Sequence, residues 1–190
     1  MKNDLRIALK EKRARMPPLK RRRDSKKIAL NILHSPELNL GTKIGLYFAS
    51  KSEVNTKYLI TALVDQGKKI FLPVVKEEKI FFAAYDPRIT TMTKNRYGIS
   101  EPSKKDTIIV SPASLDTAFF PIVGYNSNLH RIGMGGGFYD RSFKGLKKKS
   151  PIRVGLAFSF QQVSFEPERH DVPLLAICTE DGVIFRNENK

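Results

Sequence analysis

Cysteine is nearly absent from this sequence: Cys178 is the only one, so no disulfide can close within the chain. In Leu174-Leu175-Ala176-Ile177-Cys178-Thr179 it reads as an inert buried strand residue, and a reducing cytoplasm is the expected location. Long apolar runs are missing too. Stretches such as Ala118-Phe119-Phe120-Pro121-Ile122-Val123 fall far short of the ~20 residues that cross a bilayer, so no membrane partner is expected. The basic N-terminus contains Asp4 and Glu11 and leads into no apolar segment or small-residue cleavage site, which argues against a secretory signal. No repeat, low-complexity tract or linker-like stretch divides the chain, and 190 residues fit a single domain spanning 1–190. His34, His130 and His170 are too scattered for a metal set, and no Ser-His-Asp or Cys-His pattern accompanies them.

Acidic residues are outnumbered. Lys and Arg total 34 against 19 Asp and Glu, a formal charge of +15. Such an excess suits either nucleic acid or small polyanions, and charge alone does not choose between them. With 41% hydrophobic residues the chain has enough apolar material to bury about 70% of its extended surface.

Residues 2–15 have helical spacing, with Leu5, Ala8 and Leu9 on one stripe and Lys2, Arg6, Lys10 and Arg13 on a neighbouring one. The apolar stripe is expected to pack on the body, leaving Lys2 and Arg6, one turn apart, to address one anion. After Pro17-Pro18 a second helix runs to about His34, carrying Lys20-Arg21-Arg22-Arg23 on its first turns. That run reads as a solvated helix face or, less simply, a nucleic-acid patch. From Lys43 the pattern becomes strand (44–49), helix (54–66) and strand (69–75), one βαβ unit and hence a parallel sheet. A strand at 79–84 precedes a loop of about twenty residues with Pro87, Gly98 and Pro102, long enough to suggest a functional or mobile segment. Further strands follow at 107–110, 117–123, 153–158, 174–178 and 183–186, with a helix beginning near Phe138 and an exposed charged loop at Lys147-Lys148-Lys149. The fold class is three-layer α/β with a mainly parallel sheet, two basic N-terminal helices and a glycine-rich phosphate loop.

That loop is His130-Arg131-Ile132-Gly133-Met134-Gly135-Gly136-Gly137-Phe138-Tyr139-Asp140-Arg141. Four glycines in five positions need a backbone reason, and close approach of a ligand is one. Between a strand and a helix start, the loop would turn successive N–H groups toward an anion. Arg131 adds a fixed positive fork and Asp140 a hard oxygen ligand suited to Mg²⁺ on a nucleotide. The spacing is neither a dinucleotide fingerprint nor a Walker A loop.

The segment Arg131–Asp140 resembles the R-[LI]-G-x-G-x-G-[YF]-Y-D hallmark of the 5-formyltetrahydrofolate cyclo-ligase family. The likeness runs through Lys2-x-x-x-Arg6, Ser52-Glu53-Val54-Asn55-Thr56, Tyr97-Gly98-Ile99-Ser100-Glu101-Pro102, Pro121, His170-Asp171-Val172-Pro173 and Thr179-Glu180, in order along nearly the whole chain. Phe138 stands where many members have tyrosine, and Asn126 stands where aspartate is more usual.

The resemblance implies an ATP- and Mg²⁺-dependent closure of 5-formyltetrahydrofolate to 5,10-methenyltetrahydrofolate. It implies that Lys2, Arg6, Arg131, Ile132, Gly133, Met134, Gly135, Gly136, Gly137, Phe138 and Tyr139 bind ATP. Phe48, Glu53 and Met134 to Phe138 would contact the folate, and Asp140 and Asp171 would bind Mg²⁺. Arg131 is expected to stabilise the transferring phosphoryl group, so that Arg131→Ala removes turnover and leaves the fold intact. Small-molecule substrates, no specific nucleic acid and a monomer are the expected partners and state. Other readings stay open: Glu53 as a helix cap, Asp171 as a turn residue, Tyr139 as packing beneath the loop. A basic nucleic-acid-binding protein without catalytic activity is the rival from another class, and a sugar-phosphate isomerase the rival among enzymes.

Overall fold

The computed structural model describes residues 2–50, 52–95, 98–105, 107–146, 151–168 and 171–187. Tyr97, His170 and the Lys147-Lys148-Lys149 loop lie outside the described residues. The chain opens with α1 (Lys2–Ala14) and α2 (Pro18–Leu33), then β1 (Lys43–Gly45), α3 (Lys57–Asp65), β2 (Lys69–Lys76) and β3 (Lys79–Tyr85). Next come β4 (Met92–Lys94), β5 (Ser100–Pro102), β6 (Ile109–Val110), β7 (Thr117–Pro121), β8 (Gly124–Tyr125) and β9 (Arg131–Ile132). The chain closes with α4 (Phe138–Phe143), β10 (Ile152–Leu156), β11 (Ala176–Thr179) and β12 (Gly182–Phe185).

Eight strands form the main sheet in the order β12-β11-β10-β7-β1-β2-β3-β6. The five from β11 to β2 run parallel, β12 is antiparallel to β11 at one side, and at the other β3 is antiparallel to β2 and β6 to β3. Parallel strands need both faces covered, which explains their apolar composition. Alternate residues divide between the faces. Phe119 packs with Ile44, Ile70 and Leu72 under Ile28 and Ile32 of α2 and Leu59 and Leu63 of α3. Phe120 joins Phe82, Tyr125, Ile177 and Phe143 of α4 on the other side. The result is the expected three-layer α/β arrangement.

Backbone approach fixes several positions. A Cβ on Gly155 of β10 would lie 2.2 Å from Ile122 Cδ1, and one on Gly45 of β1 would lie 2.6 Å from Leu115 Cδ1. The Asp116 carboxylate accepts the Thr42 and Lys43 amides at 2.7 Å each, docking the start of β1 beside β7. Those amide bonds, the one from Lys43 first, hold its pKa below the ordinary carboxylate value.

Three sequence expectations are corrected. The strand expected over 44–49 ends at Gly45, and the helix expected from Val54 starts at Lys57, because the chain between turns back on itself. Ser50 N donates to Glu53 Oε2 at 2.8 Å and Thr56 Oγ1 donates to Tyr47 O at 2.7 Å. The long loop after β3 holds its own hairpin, β4 paired with β5. Buried Glu101 ties that hairpin to β2 and to its own base, accepting from Val75 N at 3.2 Å and Asn95 Nδ2 at 3.0 Å. Finally, α1 does not separate an apolar stripe from a cationic one. Lys2, Arg6, Leu9 and Arg13, at i, i+4, i+7 and i+11, share one helix face. Leu9 is buried against Val123, Ile132 and Phe165, whereas Ala8 and Lys10 are exposed.

The topology places a ligand crevice at the carboxyl ends of the parallel strands. From β1 the chain crosses through α3 to β2 on one side, whereas β7 leads to β10 on the other. The neighbouring strands β1 and β7 therefore mark a switch point, and the segments leaving their carboxyl ends, 46–56 and 122–137, diverge there.

Candidate functional site

Helix α1 crosses this end of the sheet and pins the segments around it. Lys2 Nζ meets Asp171 Oδ2 at 2.5 Å and Glu168 Oε1 at 3.3 Å. One turn on, Arg6 donates through Nε to Gly133 O at 2.8 Å and through Nη1 to Asn3 Oδ1 at 3.0 Å. Seven residues further, Arg13 is buried, donating through Nη1 to Ile122 O at 2.9 Å and through Nε to Ser52 Oγ at 3.3 Å. Sequence spacing grouped Arg13 with the exposed cations; the structure places it inside. Its spacing from Lys2, a whole number of turns within a fraction of a residue, puts the two on one helix face but does not show that the face is buried.

The glycine loop runs from β9 into α4. Gly135 (φ 106°) and Gly137 (φ 64°) occupy the left-handed region, which side chains rarely adopt. Gly137 is the residue before α4, so the loop amides lead directly into a helix start. Met134 is half exposed, and so is Phe48 on the segment leaving β1. Each offers apolar surface to a ring without further packing to lose.

Beneath the loop lies a charged pair. Arg131 Nη2 is 3.0 Å from Asp140 Oδ2, and Arg131 Nη1 donates to Val172 O at 3.2 Å. Val172 N in turn donates to Asp140 Oδ1 at 3.0 Å, which brings Asp140 beside Asp171. The Arg131 guanidinium also lies over Phe120, 4.9 Å from the ring centroid, and 6.0 Å from that of Tyr139. Arg131 is therefore a buried group that orders Asp140 in the free protein. Asp140 and Asp171 supply two hard carboxylates at the rim, each already next to a cation. Among the described residues no cluster of three or more His, Cys, Asp or Glu gathers, so a closed metal cage is not built. A small dication that takes one or two carboxylates and completes its shell with phosphate oxygens and water fits this pair.

On the segment leaving β1, Glu53 is buried. It does not cap α3, which begins four residues later; its Oε2 closes the Ser50–Glu53 turn instead. Beside it on the same segment, the Tyr47 hydroxyl donates to Val54 O at 3.3 Å. Burial, then Glu53, pushes the Tyr139 phenol well above its ordinary pKa. Tyr139 packs on Phe120 with ring centroids 4.8 Å apart, and its buried hydroxyl has no hydrogen-bond partner among the described residues. Packing and an open donor thus coexist in one side chain.

Asn126 closes the hairpin below the loop. Its Oδ1 accepts Asn128 N at 3.1 Å and His130 N at 2.9 Å, while its Nδ2 donates to Phe165 O at 3.1 Å. An aspartate would keep the two accepted bonds and turn a carboxylate oxygen toward the Phe165 carbonyl. Asn126→Asp is expected to lower stability by about 1–2 kcal/mol near neutral pH, with part of the loss recovered below about pH 4 as the carboxyl becomes a donor. Urea melts of both proteins at the two pH values check this.

Residues 1–180 match the model of the 5-formyltetrahydrofolate cyclo-ligase family. A 5-formyltetrahydrofolate cyclo-ligase of Haemophilus influenzae is 35% identical over 180 residues, covering 93% of this chain and 96% of the relative. The 5-formyltetrahydrofolate cyclo-ligase of Mus musculus is 24% identical over 191 residues, covering 95% and 94%. Among solved structures, the 5,10-methenyltetrahydrofolate synthetase of Aquifex aeolicus superposes with a TM-score of 0.83 at 28% identity, covering 100% of this chain and 94% of the other.

Proposed function

The chain belongs to the 5-formyltetrahydrofolate cyclo-ligase family, and from that premise we propose that it closes 5-formyltetrahydrofolate to 5,10-methenyltetrahydrofolate while ATP becomes ADP and phosphate. The observation that carries the reading is convergence. Hydrogen bonds and ion pairs link Lys2 to Asp171, Arg6 to the glycine loop, Arg131 to Asp140 and Asp140 to the residue after Asp171.

An amide-like formyl oxygen is a poor leaving group. Attack by that oxygen on the γ-phosphorus forms the O–P bond and releases ADP. The N10 lone pair then adds to the activated formyl carbon, the C–O bond breaks as N5 supplies its electron pair, phosphate departs, and N10 loses its proton. Such a sequence relies on positioning and charge neutralisation, not on a covalent enzyme nucleophile. The loop amides, with Lys2 and Arg6 at their rim, would cradle the phosphates, and Arg131 would face the transferring group. Asp140 and Asp171 would hold Mg²⁺, which neutralises phosphate charge when bound. Phe48 and Met134 would flank the folate, and the Glu53 carboxylate would accept N–H groups of its pterin ring. A cytoplasmic monomer with small-molecule partners completes the proposal. No helix among the described residues is long and apolar enough to cross a membrane.

The nucleic-acid reading has less to stand on. In the basic run of α2, Lys20 and Arg23 pair with Asp24, and Arg22 donates to the Tyr58 hydroxyl at 2.8 Å. The test mixes the purified protein with 5-formyltetrahydrofolate and Mg²⁺, with and without ATP, and follows the near-ultraviolet band of the methenyl product. ATP-dependent growth of that band is the expected result. A folded protein that gives no product rejects the proposal.

A further inference from the structure

Between Arg131 and Arg141 the glycine loop contains no lysine or arginine, so positive charge for a polyphosphate has to reach it from its flanks. Two of the cations assigned to the phosphates above each lie against a carboxylate: Lys2 meets Asp171, and Arg131 meets Asp140. Much of their charge is therefore answered before a ligand arrives. Arg6 is held by neutral oxygens, Gly133 O and Asn3 Oδ1. We propose that Arg141 is a second phosphate-binding arginine, gripping the polyphosphate of ATP from the α4 end of the loop while Arg6 holds the β9 end. The inference rests on the loop being the phosphate site, as proposed above.

Arg141 lies in the first turns of α4, where its amide donates to Gly137 O at 3.0 Å. Helical side chains lean toward the N-terminus, so this one reaches back over the loop. A Cβ built on Gly137 would lie 2.7 Å from Arg141 Nη1, and one on Gly135 would lie 3.9 Å from the Arg6 guanidinium. The two arginines thus flank positions two residues apart, at most about 7 Å along the chain. Between them, a Cβ on Gly136 would lie 2.9 Å from the Phe138 ring, and the Arg141 guanidinium lies 5.1 Å from the centroid of that same ring.

The guanidinium is set in place and still reachable. Its Nε donates to Glu78 O at 3.1 Å, its side chain is 42% exposed, and Nη1 is turned to the loop. The Glu78 carboxylate stands 3.8 Å from Nε on a side chain that is 80% exposed, an ion pair that water screens and a phosphate can outcompete. A fork already ordered by Glu78 O and Phe138 has less freedom to lose when it takes phosphate oxygens. Bracing the turn between β2 and β3 does not require this residue, because Ile80 N donates to Ser142 Oγ at 2.7 Å and ties the start of β3 to α4.

The test measures equilibrium binding of ATP with Mg²⁺, and separately of 5-formyltetrahydrofolate, to the full-length protein and to Arg141→Gln. Arg141→Gln is expected to weaken ATP binding about tenfold, with folate affinity and melting temperature nearly unchanged. A folded Arg141→Gln protein with unaltered ATP affinity overturns the proposal. So does one whose folate affinity falls as far as its ATP affinity, the result expected of a brace for the loop or of a contact to the folate carboxylates. A second measurement needs no variant: an arginine-specific dicarbonyl reagent is applied to the unmodified protein and its attachment at Arg141 is read by peptide mass mapping. ATP is expected to slow that attachment several-fold and 5-formyltetrahydrofolate alone to leave it unchanged; no protection by ATP, or equal protection by the folate, overturns the proposal. Unmodified protein that binds no ATP rejects instead the reading of the loop on which the proposal rests.

Discussion

Arg131→Ala is expected to abolish measurable turnover and also to lower stability by about 3 kcal/mol, a melting-temperature drop of roughly 10 °C for a chain of this size. The reason for the second effect is structural. Arg131 is buried, sits against Asp140, donates to Val172 O and lies over Phe120. Its removal strands a mostly buried carboxylate and opens space under the loop. The expectation from sequence, that the fold stays intact, treated Arg131 as a side chain at the loop rim. Arg131→Lys separates the two contributions. A lysine keeps the charge near Asp140 but gives up the planar fork and the stacking, so most of the stability should return while turnover stays at least about a hundredfold down. Calorimetry alongside the methenyl absorbance assay measures both. Full turnover in Arg131→Lys removes Arg131 from the phosphoryl-transfer step.

Gly133→Ala is expected to leave the melting temperature of the free protein within about 1 °C and yet weaken ATP binding tenfold or more, on the order of 1.4 kcal/mol. Nothing lies within 4 Å of a Cβ built at Gly133, and its backbone is not in the left-handed region. The free protein therefore gives no reason for glycine there. A polyphosphate drawn against the loop amides does, because a methyl group would hold it away from them. Gly135→Ala is the contrast: at φ 106° it strains the loop in every state, so stability and ATP binding should fall together. Titration calorimetry with ATP, paired with thermal melts, distinguishes the two patterns. Unchanged ATP affinity in Gly133→Ala would mean that the phosphates do not approach this part of the loop.

Much of the fold was legible because it is written in local periodicity. Apolar runs of strand length, the amphipathic segment before β2 and the proline pair before α2 each state a local preference that the sheet then uses. The glycine loop was legible for the same reason: its conformational demand is local, and so is the composition that meets it. The limits of β1 and α3 were not, since hydrogen bonds between residues up to nine apart, from Ser50 to Glu53 and from Thr56 to Tyr47, override helix and strand preference there. Burial of Arg13 was hidden for a related reason. Charge in a helical pattern reads as solvent-facing until something shows what the helix lies across.

The sequence alone determined the α/β class, the βαβ core, the phosphate-type loop and the set of charged residues available to it, because residue type and spacing act over a few residues. Only the tertiary structure decided which of those residues meet. The parallel pairing of β1 with β7, which sets Ile44 beside Thr117 and Gly45 beside Ala118, brought together the strands that lead into the segment carrying Glu53 and into the glycine loop. The packing of α1 over that seam brought Lys2 to Asp171, Arg6 to Gly133 and Arg13 between the two walls. Those contacts depend on chain reversal and burial across the whole molecule, and no local pattern encodes them.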